Sequence, residues 1–122
     1  MAKTIDQTSK LTEDERASPI GYFNLADSYW ASARELNKLN LKTTHPRSPV
    51  NFLYHQAIEL YLKSCLRLHG RTAQQIRGHR IVPLANRTNK YGLSFDDEDL
   101  EIFELLDSAN VVINARYLLT CH

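Results

Sequence analysis

The last helix-forming stretch of the chain ends with an arginine and a histidine in the spacing Arg-x5-His, Arg116 and His122. A guanidinium can neutralise a phosphate and an imidazole can move the proton of a ribose 2′-hydroxyl, so the pair suits RNA cleavage without a metal. On a straight helix six residues turn through about 600°, which leaves the two side chains roughly 120° apart. A shared site therefore requires a bend. The alternative is a surface arginine followed by a frayed terminal histidine.

A second group of candidate residues places an imidazole between two arginines, in the sequence Arg77-Gly78-His79-Arg80. His79 could cap the helix predicted after it or fill a core position. It could instead lie with Arg77 and Arg80 around a phosphate, because guanidinium groups bind phosphate through paired hydrogen bonds. The spacing leaves both interpretations open.

Four polar residues recur at intervals of four within an otherwise apolar stretch: His55, Glu59, Lys63 and Arg67. On a helix these residues form a narrow stripe, in which Glu59 and Lys63 make a favourable pair. The stripe is either a solvated surface seam or a polar groove beside a buried helix.

Charge is segregated along the chain, although the net charge is only +1. Seven basic residues and no acidic one lie between 60 and 95, and seven acidic residues and no basic one lie between 96 and 107. The two segments could pack together and neutralise each other. Alternatively, the basic segment forms a surface that attracts phosphate or RNA.

The elements that must position these residues are helices. Ser48 can cap a helix over about 49–69 with Pro49 in its first turn, and Gly70 suits the position just beyond its end. Apolar residues recur at three and four over about 18–40, after the pair Ser18-Pro19. We expect a short helix over about 72–77, broken by Gly78, and a further helix from near His79 to about Lys90.

A last helix is predicted from Ser94 or Asp96 to about residue 119. Its acidic first turn suits the helix dipole, which explains the acidic residues from Asp96 to Asp99 without a metal site. The chain of 122 residues has no apolar run long enough to cross a membrane and no apolar signal segment. Its two lone cysteines fit a reducing cytoplasm. We therefore expect a cytoplasmic all-α protein: a mobile arm at 1–16 and a single helical domain at 17–122.

Five parts of the chain together resemble the HEPN domain, the higher-eukaryote and prokaryote nucleotide-binding domain. They are the first helix with Tyr22, Ala26 and Leu36, the stretch PVNFLYHQAIELYLKSCLRLHG, Gly78-His79 with Leu84 behind it, the segment DLEIFELL, and Ala115-Arg116-Tyr117. The resemblance covers about residues 18–119. It implies an antiparallel up-and-down bundle of four main helices with a short extra helix, which commonly forms a homodimer.

The resemblance also implies function. Many members are metal-independent ribonucleases with an Arg-x(4–6)-His motif, which Arg116 and His122 match, although Tyr117 stands where a polar residue is common. Others accompany nucleotidyltransferases in toxin–antitoxin modules or bind RNA or nucleotides without catalysis. In such a bundle we expect a buried or half-buried Glu59 with a basic partner, near the Gly78-His79 turn or near Arg116.

The leading hypothesis is a homodimeric module that binds RNA or a nucleotide beside a partner such as a nucleotidyltransferase, with no cofactor and no metal. Five residues are its candidate phosphate or nucleotide contacts: Arg77, His79, Arg80, Glu59 and Lys63. The first alternative is an endoribonuclease in which Arg116 holds the scissile phosphate and His122 is the general acid and base. The second is a non-catalytic interaction protein, whose helices serve dimerisation and partner docking.

Overall fold

The computed structural model describes residue 12 and residues 17–120, with side chains described as far as residue 109. Within these residues the chain forms four α-helices and no strand: α1 (Pro19–Lys38), α2 (Arg47–Leu68), α3 (Ile81–Thr88) and α4 (Asp97–Thr120). A short 3₁₀ turn, Asn89–Tyr91, follows α3. The predicted all-α class is confirmed. Apart from Thr12, the predicted arm at 1–16 lies outside the described residues and stays a prediction.

Helix α1 begins as its sequence predicts. The Ser18 hydroxyl accepts a hydrogen bond of 3.1 Å from the backbone N–H of Gly21, and Pro19 occupies the first helical position, where no N–H is needed. Ala26 and Ala33 are fully buried. Because these side chains are small, α1 can approach α2 closely along this line.

The predicted cap of α2 at Ser48 is wrong, because the helix begins one residue earlier, at Arg47. Pro46 occupies the N-cap position with a φ of −68°, and Ser48 lies in the first turn, donating its N–H to the carbonyl of His45 at 3.3 Å. Proline is already restricted to a helix-compatible φ and lacks the N–H that a helix start leaves unpaired. Pro46 therefore starts the helix without a side-chain cap.

The predicted end of α2 at Gly70 is confirmed. Gly70 has a φ of +91°, in the left-handed region that favours glycine. Its N–H donates to the carbonyl of Arg67 at 3.1 Å, and the N–H of Arg71 donates to the carbonyl of Leu66 at 3.0 Å. These two bonds form a Schellman motif, which satisfies the last carbonyls of α2 and turns the chain back across it.

For the segment after α2, the predicted short helix is wrong, and the predicted helix that follows it is confirmed with different bounds. Residues 72–77 form a turn instead of a short helix. Thr72 and Gln75 accept each other's backbone N–H through their side chains, as at a helix start, but the helix does not continue beyond this turn. The next helix spans Ile81–Thr88, which is shorter than the predicted range from about 79 to 90. His79 does not cap it or enter the core, since its side chain is 80% exposed.

Helix α2 is the central element, because α1, α3 and α4 all pack against it. The main core cluster combines α2, the turn before α3, α3 itself and the first half of α4: Leu62, Leu66, Ile76, Ile81, Leu84, Ala85 and Phe103. Helix α4 is capped by Asp96, whose carboxylate accepts a hydrogen bond of 2.8 Å from the N–H of Asp99. Of the two predicted caps, Ser94 and Asp96, the second is therefore the one found. None of the described helices is both long enough and apolar enough to cross a lipid bilayer.

Candidate functional site

The polar stripe of α2 faces the interior. His55 is 1% exposed, Glu59 3% and Lys63 7%, while Arg67 is half-buried. The interpretation of this stripe as a solvated seam is therefore wrong, and the polar groove is the arrangement found. The cause is the central position of α2, which leaves little of its circumference to solvent.

Glu59 has the basic partners expected of it. Its Oε2 accepts a hydrogen bond of 2.9 Å from Lys63 Nζ and lies 3.3 Å from His79 Nδ1. A buried carboxylate is costly unless it is paired, so these two contacts are what allow an acid at this position. Glu59 thereby ties the Gly78-His79 turn to the middle of α2, and the expectation of a buried Glu59 beside this turn is confirmed.

Asp107 of α4 is the second buried carboxylate, at 2% exposure. Its two oxygens accept the backbone N–H groups of Ile81 at 2.7 Å and Val82 at 3.1 Å. These N–H groups belong to the first turn of α3, where a helix has no partners of its own. Asp107 therefore caps α3 from another helix, which explains why α3 begins at Ile81 although Arg80, its N-cap residue, makes no side-chain cap bond.

His55 lies between the two carboxylates. Its Nε2 is 2.8 Å from Asp107 Oδ1, and because a carboxylate only accepts, Nε2 carries the hydrogen. Its Nδ1 is 3.9 Å from Glu59 Oε1, and within the described part of the chain neither atom has a hydrogen-bond partner. His55 thus joins the two acids into one buried polar cluster, which connects α2, α4 and the segment at 79–82.

Above this cluster the turn before α3 forms a cationic cavity of about 200 Å³. Its lining combines three arginines and a histidine with a few small or apolar residues: Arg77, Gly78, His79, Arg80, Pro83, Leu84 and Arg87. The side chains of His79 and Arg80 are 80% and 68% exposed. Among the described residues, no carboxylate lines this cavity. A concave surface lined by arginine and histidine side chains suits a phosphate group.

The structure brings three of the predicted contact residues, Arg77, His79 and Arg80, to this one cavity. Glu59 and Lys63 lie beneath it instead of in it, since both are buried. Arg87 and Asp107 were missed as site residues: Arg87 lines the cavity, and Asp107 caps the helix that carries Arg87. In the sequence, Arg87 belongs to the basic run and Asp107 to the acidic run. Nothing in these runs distinguishes the two residues from the neighbouring charged residues.

The two candidate catalytic residues fall outside what the structure describes in side-chain detail. The backbone of α4 extends to Thr120 and so includes Arg116, whose side chain is not described. His122 lies outside the described residues altogether. Their pairing therefore stays a prediction.

An apolar cavity of about 320 Å³ lies beside α1 and the start of α4. It is lined by apolar and aromatic side chains: Trp30, Ile58, Tyr61, Leu62, Leu93, Phe95 and Phe103. Burial, together with a hydrogen bond from its hydroxyl to the carboxylate of Asp27, raises the pKa of Tyr61 to about 12. The hydroxyl therefore stays protonated at neutral pH.

In the described part of the chain, no three His, Cys, Asp or Glu side chains are placed to hold a metal ion.

Comparison with known protein families agrees with the helical fold. The family model of the HEPN domain matches residues 25–120, which include α2, α3, α4 and the part of α1 from residue 25 onward. The chain belongs to the HEPN family. Comparisons with curated proteins and with solved structures found no match.

Replacing Asp107 with alanine should destabilise the protein strongly. The change leaves His55 Nε2 and the N–H groups of Ile81 and Val82 without their acceptor in a buried place. We expect the free energy of unfolding, measured by urea denaturation, to fall by roughly 3 kcal/mol or more.

Glu104→Ala is the matched control, because Glu104 is an exposed acid one turn earlier on α4. It should change the free energy of unfolding by less than about 0.5 kcal/mol. Equal stability of the Asp107 and Glu104 variants would contradict the capping role of Asp107.

Proposed function

We propose that this HEPN domain binds RNA or a nucleotide through a phosphate group held in the cationic cavity. The observation that carries the proposal is the convergence of Arg77, His79, Arg80 and Arg87 on one concave surface. Cationic side chains on a concave surface attract anions, and phosphate is an anion that arginine binds well. Membership of the HEPN family supports the same class of ligand, because nucleotide- and RNA-related modules are typical of that family.

The buried carboxylates give the cavity a fixed shape. Glu59 accepts from His79 Nδ1, so that nitrogen carries the hydrogen, and Nε2 can donate to a phosphate when it too is protonated. Arg80 Nε lies 3.9 Å from Asp107 Oδ2, close enough for attraction but too far for a hydrogen bond. The guanidinium of Arg80 therefore keeps its donors for a bound phosphate. In this proposal Glu59 and Lys63 act through His79, without touching the ligand.

The proposed assembly is a homodimer of up-and-down helical bundles that works beside a partner such as a nucleotidyltransferase. Contacts between α1 and α2 support the up-and-down order: Ser64 donates to the carbonyl of Pro19, and Arg47 donates to Asn37. Exposed apolar side chains support a protein partner, and they include Ile20, Phe23, Leu25, Ile102 and Leu105. The family's tendency to dimerise supports a second copy.

Arg80→Ala should weaken the binding of single-stranded RNA by roughly tenfold at low salt, because it removes a phosphate contact. The logarithm of the dissociation constant should also depend less steeply on the logarithm of salt concentration, by about one unit of slope. Fluorescence anisotropy with a labelled oligoribonucleotide measures both.

Arg34→Ala is the control for this test, since Arg34 is an exposed arginine on α1, away from the cavity. It removes the same charge and should leave the affinity within about twofold of the parent. If the two variants lose affinity equally, the cavity is not the binding site. If the parent binds no RNA or nucleotide even at low salt, the non-catalytic interaction protein becomes the better hypothesis.

Metal-independent RNA cleavage by Arg116 and His122 is a second candidate function. The family match supports it, because it extends to residue 120 and so includes Arg116 on the last helix. Cleavage at this site should persist in EDTA, since a guanidinium and an imidazole can replace a metal in charge neutralisation and proton transfer.

Arg116→Ala and His122→Ala should each abolish that cleavage in a gel assay of labelled RNA, while Arg34→Ala should leave it intact. Cleavage that persists unchanged in both the Arg116 and His122 variants would rule out this site.

A further inference from the structure

A second cavity, of about 300 Å³, lies next to the cationic cavity and is distinct from the apolar cavity beside α1. Leu66, Arg71, Gln75, Ile76 and Arg87 line it. Leu66 and Ile76 are almost completely buried and form its inner wall, while Arg71 is half-buried and Gln75 and Arg87 are exposed at its rim. Arg87 lines both cavities, so a ligand whose phosphate occupies the first can place another group in the second.

Local hydrogen bonds fix the rim of this second cavity. Arg87 Nη1 donates to the carbonyl of Gln75 at 3.0 Å, which holds the guanidinium between the two cavities. Arg71 Nε donates to the hydroxyl of Tyr91 at 2.9 Å, and its carbonyl accepts from Arg67 Nη1 at 2.7 Å. Because these contacts use only part of each guanidinium, Arg71 and Arg87 keep further N–H groups for a ligand.

The polar side chains at the rim offer mostly donors. Arginine has no acceptor, and the amide oxygen of Gln75 already accepts the backbone N–H of Thr72 at 2.8 Å. That bond fixes the orientation of the amide and leaves its NH₂ group to donate. The carbonyl of Gln75 is also occupied, by Arg87. A ligand group that fits this rim must therefore present acceptors.

Among the bases, guanine presents such an edge. Its N7 and O6 are both acceptors, and a bidentate arginine contact to them is the commonest specific contact to a base. Adenine pairs one acceptor with an NH₂ donor on the same edge, and cytosine presents an NH₂ donor. Uracil has carbonyl oxygens on either side of an N–H donor, so no edge of it offers two adjacent acceptors. A donor meeting the donors of Arg71, Gln75 and Arg87 would be left unpaired, which lowers affinity.

We propose that the second cavity holds the guanine base of a nucleotide whose phosphate lies in the cationic cavity. This inference rests on the proposed function, because it needs the phosphate at Arg77, His79 and Arg80. The ligand is either a free guanine nucleotide or a guanosine within single-stranded RNA, which share this chemistry. Arg87 is placed to contact both the base and the phosphate.

The test compares the dissociation constants of GMP, AMP and ribose 5-phosphate by isothermal titration calorimetry at low salt. We expect GMP to bind roughly tenfold more tightly than AMP, as one good bidentate contact allows. Two short RNAs, identical apart from one guanosine or adenosine among uridines, form a second arm. A preference for guanosine in RNA but not in the free nucleotide identifies RNA as the source of the ligand.

Gln75→Glu is the sharpest variant, because it keeps the oxygen that accepts from Thr72 and converts the donor into an acceptor. The ratio of GMP to AMP affinity should fall to about one or below. Arg71→Ala should also reduce the ratio, whereas Arg80→Ala should weaken both nucleotides about equally and leave the ratio unchanged. Circular dichroism checks that each variant is folded.

The outcomes separate this inference from the proposed function. If GMP and AMP bind equally, the two RNAs also bind equally and Arg80→Ala weakens all of them, the phosphate site stands and the guanine site is overturned. An unchanged ratio in a folded Gln75→Glu variant also overturns it. If neither the three small ligands nor the two RNAs bind, both proposals fail.

Discussion

Two buried carboxylates, Glu59 and Asp107, constrain the rest of the structure. A charged group out of water is tolerated only where donors surround it, and these two acids find their donors on different elements. Glu59 on α2 bonds Lys63 and the surface residue His79, while Asp107 on α4 bonds His55 and the first turn of α3. Satisfying both acids therefore fixes where the turn before α3 lies and where α3 begins.

The proposed ligand site is a consequence of that constraint. The turn held by the two acids carries Arg77, His79 and Arg80, and Arg87 of α3 lines the same cavity. Gathering these cations has a Coulombic cost, which the buried acids beneath them partly offset. The basic and acidic runs of the sequence meet where Arg80 lies beside Asp107, while five of the other six acids of the run are exposed and Asp99 is half-buried. Neither wholesale neutralisation nor an isolated basic face describes this arrangement.

Much of the fold could be predicted from local sequence. The start of α1 at Ser18-Pro19 and the end of α2 at Gly70 depend on residues with few conformational choices, and the resemblance to the HEPN domain indicated the remaining order. The short helix at 72–77 was predicted wrongly: Thr72 and Gln75 make the reciprocal bonds of a helix start, but the chain leaves the helical path within one turn, before Gly78 with its φ of +129°. Spacing placed the polar stripe on one face of α2, but only tertiary packing decides that this face is buried. The role of Asp107 depends on a contact across 26 residues, and no local pattern encodes it.

The central claim is that Glu59 holds His79 at a phosphate-binding cavity, and nuclear magnetic resonance of the histidine rings tests it most directly. Titration with GMP should shift the ring resonances of His79 and leave those of His45, in the exposed loop before α2, unchanged. Glu59→Gln should weaken the response of His79, since the neutral amide holds the imidazole less firmly. Binding of GMP with no change at His79, or with equal changes at His79 and His45, would contradict the account.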